Sequence, residues 1–256
     1  MVDDRNSVKN TLIVAIGLSI VCSILVAGTA VILKPKQEQN ATDFRQRIIL
    51  EVAGLYVPGT APDLEAAGIE ARLVDLESGE YVETENAAGF DPVEAARDPA
   101  QSINIPAEFD IASVRRRSAL SPVYVVRDGD AIDQIILPVR GAGLWSTMYG
   151  YIALDSDGNT IRGLRFYEHA ETPGLGDQVD RPEWRAQWEG KRLFSEDDEI
   201  IIEVVRGTAP ENDYQIDGLA GATLTARGVM NLVHYWVGGH GYGPYLERVR
   251  GGRGDS

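Results

Sequence analysis

Cysteine is nearly absent from this chain of 256 residues: Cys22 alone occurs, inside an apolar run. No disulfide can form within the chain. No cysteine-ligated iron–sulfur cluster can be built in the part that follows the run. Cys22 itself reads as a small apolar packing residue. Histidine is scarce too. His169, His234 and His240 lack zinc-ligand spacing, and neither H-E-x-x-H nor G-x-S-x-G occurs. Asp155, Asp157 and Gly158 lack the length and terminal glutamate of an EF-hand loop and read as a hairpin turn. No metal site is expected. Bases are few: 24 Lys and Arg stand against 39 Asp and Glu, a formal net charge of −15. Nucleic acid needs a basic surface, so it is excluded as a partner. The acidity keeps a domain soluble and raises the local cation concentration. The only basic run, Arg115-Arg116-Arg117, reads as a solvated face or a contact to a partner. Internal repeats and long low-complexity stretches are missing as well.

What is present begins with residues 11–33, which contain no charged side chain. At about 1.5 Å per residue this run slightly exceeds the roughly 30 Å hydrocarbon core, so it reads as a single transmembrane helix. The alternative is a cleaved signal peptide with Gly28-Thr29-Ala30 as processing site. Signal cores run only about 7–15 residues, so a retained anchor is favoured. Asp3, Asp4, Arg5 and Lys9 sit in the preceding tail, residues 1–10, and their charges cancel. Arg5 and Lys9 before the run balance Lys34 and Lys36 after it, so charge does not set the orientation.

The roughly 220 residues that follow suffice for one domain with a substantial core. Residues 34–52 read as a helix continuing outward, with Phe44, Ile48 and Val52 at helical spacing. Pro35 is placed to kink or restart it, and Gly54 and Pro58 to end it. Residues 34–121 are taken as a helical and mixed region, with a hairpin at Ser78-Gly79 between residues 72–76 and 81–82. Residues 122–250 are taken as the ligand-binding domain. Strands at 123–126 and 134–139 flank an Asp-Gly-Asp turn, and strands at 149–154 and 161–167 flank residues 155–159. A short helix is expected at 182–188, a strand at 200–205 and a final helix at 225–237, ended by Gly238, Gly239, Gly241 and Gly243. A short segment, 245–249, follows. The pattern is α+β: one transmembrane helix, then a domain with an antiparallel sheet and flanking helices, without βαβ alternation. Residues 251–256 form a flexible Gly-rich tail, in which Arg253-Gly254-Asp255 is a chance match to an adhesion tripeptide.

Three loops carry candidate chemistry. Asp217-Gly218-Leu219-Ala220-Gly221-Ala222-Thr223 brings a hydroxyl to a helix start, where unpaired N–H groups and the dipole favour a phosphate. Gly218 and Gly221 permit positive φ or close backbone approach. The plain alternative is a capped helix start, with Thr225 as the cap. Glu171-Thr172-Pro173-Gly174-Leu175-Gly176 can present backbone N–H groups to a planar polar ring, with Leu175 over its face; the plain alternative is a turn. Gly141-Ala142-Gly143-Leu144-Trp145-Ser146 lacks the last glycine and the βαβ unit of a dinucleotide fingerprint, and that reading is rejected. Leu144 and Trp145 wall a ligand or pack in the core, and for Trp145 both readings stand.

These segments carry a family resemblance. The first resembles the flavinylation motif D-G-x-[ST]-G-A-T. The whole chain, including Gly143-Leu144-Trp145-Ser146, Glu171 to Gly176 and Trp184-Arg185-Ala186-Gln187-Trp188, resembles the C subunits of bacterial Na+-translocating NADH:quinone oxidoreductases, an FMN-binding-domain family. Ala220 departs from it, standing where the motif has Ser or Thr. That hydroxyl is not the acceptor, so modification is expected to survive. The resemblance implies one FMN joined by a phosphoester to Thr223, with Thr225 as the fallback acceptor. A flavin transferase would move FMN from FAD and read Asp217. Gly218, Gly221, Ala222, Leu144, Trp145, Glu171, Thr172, Gly174, Leu175 and Gly176 would complete the cofactor site, with no catalytic nucleophile. It further implies an inner-membrane, single-pass topology, N-terminus in the cytoplasm and main domain in the periplasm. Partners would be the A, B, D, E and F subunits. Within a pump from NADH to ubiquinone that exports Na+, the FMN would take an electron from an intramembrane iron–sulfur centre and pass it to FMN on the B protein of the complex. Three alternatives remain. The G proteins of Rnf-type ferredoxin:NAD+ oxidoreductases share motif and topology, though the long segment 56–121 disfavours them. A non-redox membrane-anchored FMN-binding sensor or adhesion module is another, and a plain structural protein without flavin is the third.

Overall fold

The computed structural model describes residues 8–84, 86–252 and 254. The expected tail at residues 1–7, with Asp3, Asp4 and Arg5, lies outside them, as do Arg253, Asp255 and Ser256. The chain divides into two compact units, Met1–Phe44 and Arg45–Ser256. The first contains the greater part, up to Phe44, of the helix α1 (Val8–Val52), which is long and apolar enough to cross a membrane and buries none of its apolar window. Residues 8–10, expected in the tail, already belong to this helix. Pro35 lies inside it without ending it: a proline removes one intrahelical hydrogen bond, and the turns on either side continue.

In the second unit the elements follow in the order β1 (Ile69–Asp75), β2 (Tyr81–Val82), α2 (Pro92–Ala95), β3 (Ser102–Asn104), β4 (Arg116–Ser118), β5 (Leu120–Asp128), β6 (Ala131–Ala142), β7 (Thr147–Asp155) and β8 (Ile161–Glu168). A 3-10 helix (Gly176–Asp180) precedes α3 (Pro182–Ala186), β9 (Glu203–Val204), β10 (Gln215–Ile216), α4 (Thr223–Val237) and α5 (Gly243–Arg250). Six strands form one antiparallel sheet in the order β2-β1-β5-β6-β7-β8. Alternation along the strands splits them between two cores. Val123, Val125, Ile135, Leu137, Val139 and Ile152 face a core shared with Val229, Leu232, Val233 and Trp236 of α4. Tyr124, Val126, Ile136, Tyr151 and Ala153 face a second, smaller one with Ile48, Ile49, Leu50 and Val52 from the last turns of α1. Because both faces are covered, β5 reads as a nearly unbroken buried run.

The structure divides elsewhere than at the expected break between residues 121 and 122. Strand β1 pairs with β5 from Ile69↔Val126 to Asp75↔Leu120, so residues on both sides of 121 share one sheet. The strand expected at 200–205 shrinks to two residues. Glu203 and Val204 pair in parallel with Gln215 and Ile216, while Ile200 makes an isolated bridge to Phe194. The basic run is not a uniform solvated face. Arg117 is buried and donates to the Ser118 carbonyl at 3.0 Å, and Arg116 donates to Asn104 Oδ1 at 2.9 Å.

Candidate functional site

Three loops meet around one buried carboxylate. Strand β6 ends at Ala142, and the turn into β7 is closed by the Gly143 N–H donating to the Ser146 carbonyl at 2.8 Å. The next two N–H groups, of Leu144 and Trp145, donate to Glu171 Oε1 at 2.9 and 3.1 Å. The hydroxyl of Thr225, on α4, donates to Glu171 Oε2. Glu171 is 4% exposed and Thr225 is fully buried. One side chain therefore ties the β6–β7 turn, the loop after β8 and the first turn of α4. Glycines make the room. A Cβ at Gly143 would lie 2.3 Å from Glu171 Oε1, and one at Gly176 would lie 2.9 Å from Thr225 Oγ1. Both carboxylate oxygens are taken up by the protein, so Glu171 shapes the site and does not reach out of it.

Outside this hub the loops present apolar surface. Trp145 is 69% exposed, and its indole N–H donates to Thr172 Oγ1 at 2.8 Å, which fixes the ring. The core-packing alternative for Trp145 is set aside by that exposure. Gly174 takes a positive φ of 77°, and Leu175 beyond it is 44% exposed. Leu175 reaches the motif loop: a Cβ at Gly221 would stand 3.0 Å from its Cδ2. The Gln178 amide bridges the two loops, donating to the Leu175 carbonyl at 2.6 Å and the Ala220 carbonyl at 3.0 Å.

The motif loop is built on backbone contacts. The Asp217 N–H donates to Gln187 Oε1 at 2.9 Å, its carbonyl accepts the Trp184 indole N–H at 2.8 Å, and its carboxylate accepts the Ala209 N–H at 2.6 Å. The Trp184-Arg185-Ala186-Gln187 segment is thus a clamp on Asp217, a role its sequence did not announce. Gly218 is needed for close approach, since a Cβ there would lie 2.4 Å from the Val205 carbonyl. Gly221 is needed for its positive φ of 74°. Helix α4 then begins at Thr223, two residues before the expected start, with Ala222 at the N-cap and no side-chain cap. Without a capping side chain, the first-turn N–H groups remain available to an anion. Thr223 is exposed on this first turn, beside exposed Leu224. Thr225, the expected cap and fallback acceptor, is instead inside the helix and bonded to Glu171. Close seating of α4 on the sheet holds these loops in place, for a Cβ at Gly228 would lie 2.6 Å from the Ala142 carbonyl.

A cleft of about 220 Å³ opens beside Thr223, lined also by Glu203, Arg206, Gly218, Arg227 and Met230. Free helix N–H groups, two guanidinium groups and exposed Leu144, Trp145 and Leu175 fit a ligand with an anionic end and a flat apolar body. FMN has both.

Residues 143–238 match the model of the FMN-binding domain family. The C subunit of the Na(+)-translocating NADH-quinone reductase of Vibrio anguillarum is 47% identical over 253 residues, 98% of this chain and 99% of that protein. The protein of the same name from Yersinia pestis is 47% identical over 97% of this chain and 96% of its own. Among solved structures, NqrC from Shewanella oneidensis superimposes with a TM-score of 0.76 at 33% identity, covering 82% of this chain and 98% of that one. The corresponding C subunit from Parabacteroides distasonis gives a TM-score of 0.66 at 29% identity, over 84% and 96%. The near-complete coverage includes residues 56–121, the segment that spoke against the Rnf alternative.

Proposed function

The chain belongs to the family of the C subunits of Na+-translocating NADH-quinone reductases, and from that premise we propose that Thr223 carries FMN through a phosphoester. It is a membrane-anchored FMN-binding subunit of an oxidoreductase complex. The observation that supports the attachment point is the contrast between two threonines one half-turn apart. Thr223 is exposed at the mouth of the cleft, while Thr225 is buried with its hydroxyl donated to Glu171. In the modification, the Thr223 Oγ–P bond forms as the pyrophosphate P–O bond of FAD breaks. AMP leaves, and the hydroxyl proton passes to a base on the flavin transferase.

The residues of this chain bind and orient. The first-turn N–H groups of α4 hold the phosphate, Gly218 and Gly221 let the backbone come close, and Leu144, Trp145 and Leu175 cover the ring and exclude water. Glu171 and Asp217 keep the three loops in register. Bound there, FMN supplies electron transfer to the complex. Tethering keeps it at high effective concentration beside its partners, the A, B, D, E and F subunits, and prevents its loss outside the cytoplasm. This agrees with a retained anchor in the inner membrane, N-terminus in the cytoplasm and the second unit in the periplasm.

The test is co-expression of the chain with a flavin transferase, followed by denaturing electrophoresis under ultraviolet light. The wild-type band fluoresces, and peptide mass spectrometry maps the flavin to Thr223. Thr223→Ala gives a dark band and unfolds at the temperature of the unloaded wild-type protein. A fluorescent Thr223→Ala band would move the attachment elsewhere.

A further inference from the structure

Two cations line the cleft beside Thr223. Arg206 enters from the loop after β9, and Arg227 lies on α4 four residues beyond Thr223. Residues at i and i+4 share one helix face, so Arg227 stands one turn along from the Thr223 hydroxyl on the side that lines the cleft. Among the described residues, neither guanidinium makes an ion pair or hydrogen bond. That is notable where acids outnumber bases 39 to 24. The one carboxylate lining the cleft, Glu203, accepts the Gln215 amide at 2.9 Å. Ala220 offers no hydroxyl donor from the motif loop, and its carbonyl is occupied by Gln178. Donors for an anion at Thr223 therefore include the α4 backbone and these two side chains.

We infer that Arg227, assisted by Arg206, is the counter-ion of the phosphodiester on Thr223, and that the cleft is its phosphate and ribityl subsite. The inference rests on Thr223 being the attachment point. A guanidinium matches phosphate oxygens in a bidentate fork and stays charged at any working pH. Thr223 supplies the covalent link and Arg227 the charge, so the two are separable by mutation. Gln at 227 keeps the length and removes the charge.

The experiment uses the full chain in detergent, wild type, Arg227→Gln, Arg227→Lys and Thr223→Ala, each co-expressed with flavin transferase. Flavin incorporation is followed by in-gel fluorescence. The purified loaded and unloaded proteins are then compared by thermal unfolding at low and high salt and by 31P NMR. Wild type is expected to gain thermal stability on loading, and salt is expected to reduce that gain. Arg227→Gln is expected to incorporate flavin roughly 2- to 5-fold more slowly, the scale of one partly exposed charge contact. It should also lose the salt-sensitive part of the gain and shift the 31P resonance, with Arg227→Lys in between. A loaded Arg227→Gln protein with wild-type resonance and wild-type salt dependence would overturn the inference and leave Thr223 standing. Fluorescent Thr223→Ala would overturn the attachment itself.

Discussion

At the scale of single residues, the site depends on a carboxylate that never needs to touch the ligand. Glu171 receives the Leu144 and Trp145 N–H groups and the Thr225 hydroxyl, and the protein leaves it 4% exposed. Deleting it strands donors that are worth about 1–3 kcal/mol each when buried and unpaired. Glu171→Ala is therefore expected to destabilise the second unit by about 2–5 kcal/mol. Glu171→Gln keeps one oxygen for the two N–H groups, and its amide can donate to the Thr225 hydroxyl, so its cost should be nearer 1 kcal/mol. Thermal unfolding of the three proteins measures the order; equal midpoints for Ala and wild type would show that the hub is not holding the loops. This role was hidden in the sequence. The pattern around Glu171 marked a loop, but its partners lie 26, 27 and 54 residues away. No periodicity records such contacts. Asp217 was hidden in the same way. Its carboxylate is engaged by Ala209 and Gln187 inside the fold, a structural duty beside any recognition by the transferase.

At the scale of elements, local chemistry was legible and long-range pairing was not. The β7–β8 hairpin announced itself through residues 155–159, and the structure shows why. Asp157 accepts the Asn159 and Thr160 N–H groups at 2.8 Å each and the Thr160 hydroxyl at 2.6 Å, and Gly158 takes a positive φ of 64°. Helix α4 was legible by its apolar face, but its start was placed two residues late, because Ala222 carries no capping group to mark it. Strand β9 falls inside the strand expected at 200–205, but its two-residue partner β10 has no period to read. The Asp157 turn also makes a pH prediction. Burial alone would push its carboxyl up, but hydrogen bonds from the Thr160 side chain and from the Thr160 and Asn159 backbone, with the charge of Arg192, outweigh that and hold it below the usual range. A depressed folded value means stability that is present above the unfolded value of about 3.9 and is lost as pH falls through the folded value. Asp157→Asn cannot titrate. The wild-type advantage in melting temperature over Asp157→Asn should therefore be full at neutral pH and shrink as pH falls below about 4. An advantage that stays constant as pH is lowered well below about 4 would show that the carboxylate charge adds nothing to the turn.

At the scale of the whole molecule, one helix serves two environments. Up to Phe44 α1 belongs to the first unit, whose apolar side chains are exposed as a lipid-facing helix requires. From Arg45 it belongs to the second unit, where Ile48, Ile49, Leu50 and Val52 are buried in the smaller core with Tyr124, Ile136 and Tyr151. Nothing in the sequence marks this change of role. The apolar spacing predicts a helix through residue 52 but not that its last turns close a sheet face. The division at 44–45 has a direct consequence for truncation. Removing residues 1–44 takes away the exposed apolar run and leaves both cores whole, so the product should be water-soluble and unfold in one transition. Removing residues 1–53 takes four large aliphatic side chains, with Ala53, out of the smaller core. At about 1.5–3 kcal/mol for each fully buried side chain, the loss is about 6–12 kcal/mol, comparable with the roughly 5–15 kcal/mol that holds a whole domain. It also uncovers the Tyr124, Ile136 and Tyr151 face of the sheet to water. The shorter product should therefore aggregate or expose its core to hydrophobic dyes, and chromatography with circular dichroism on the two truncations distinguishes the outcomes. If the product lacking residues 1–53 is as soluble and as cooperative as the longer one, the last turns of α1 are not part of the folded unit, and its boundary lies after residue 53.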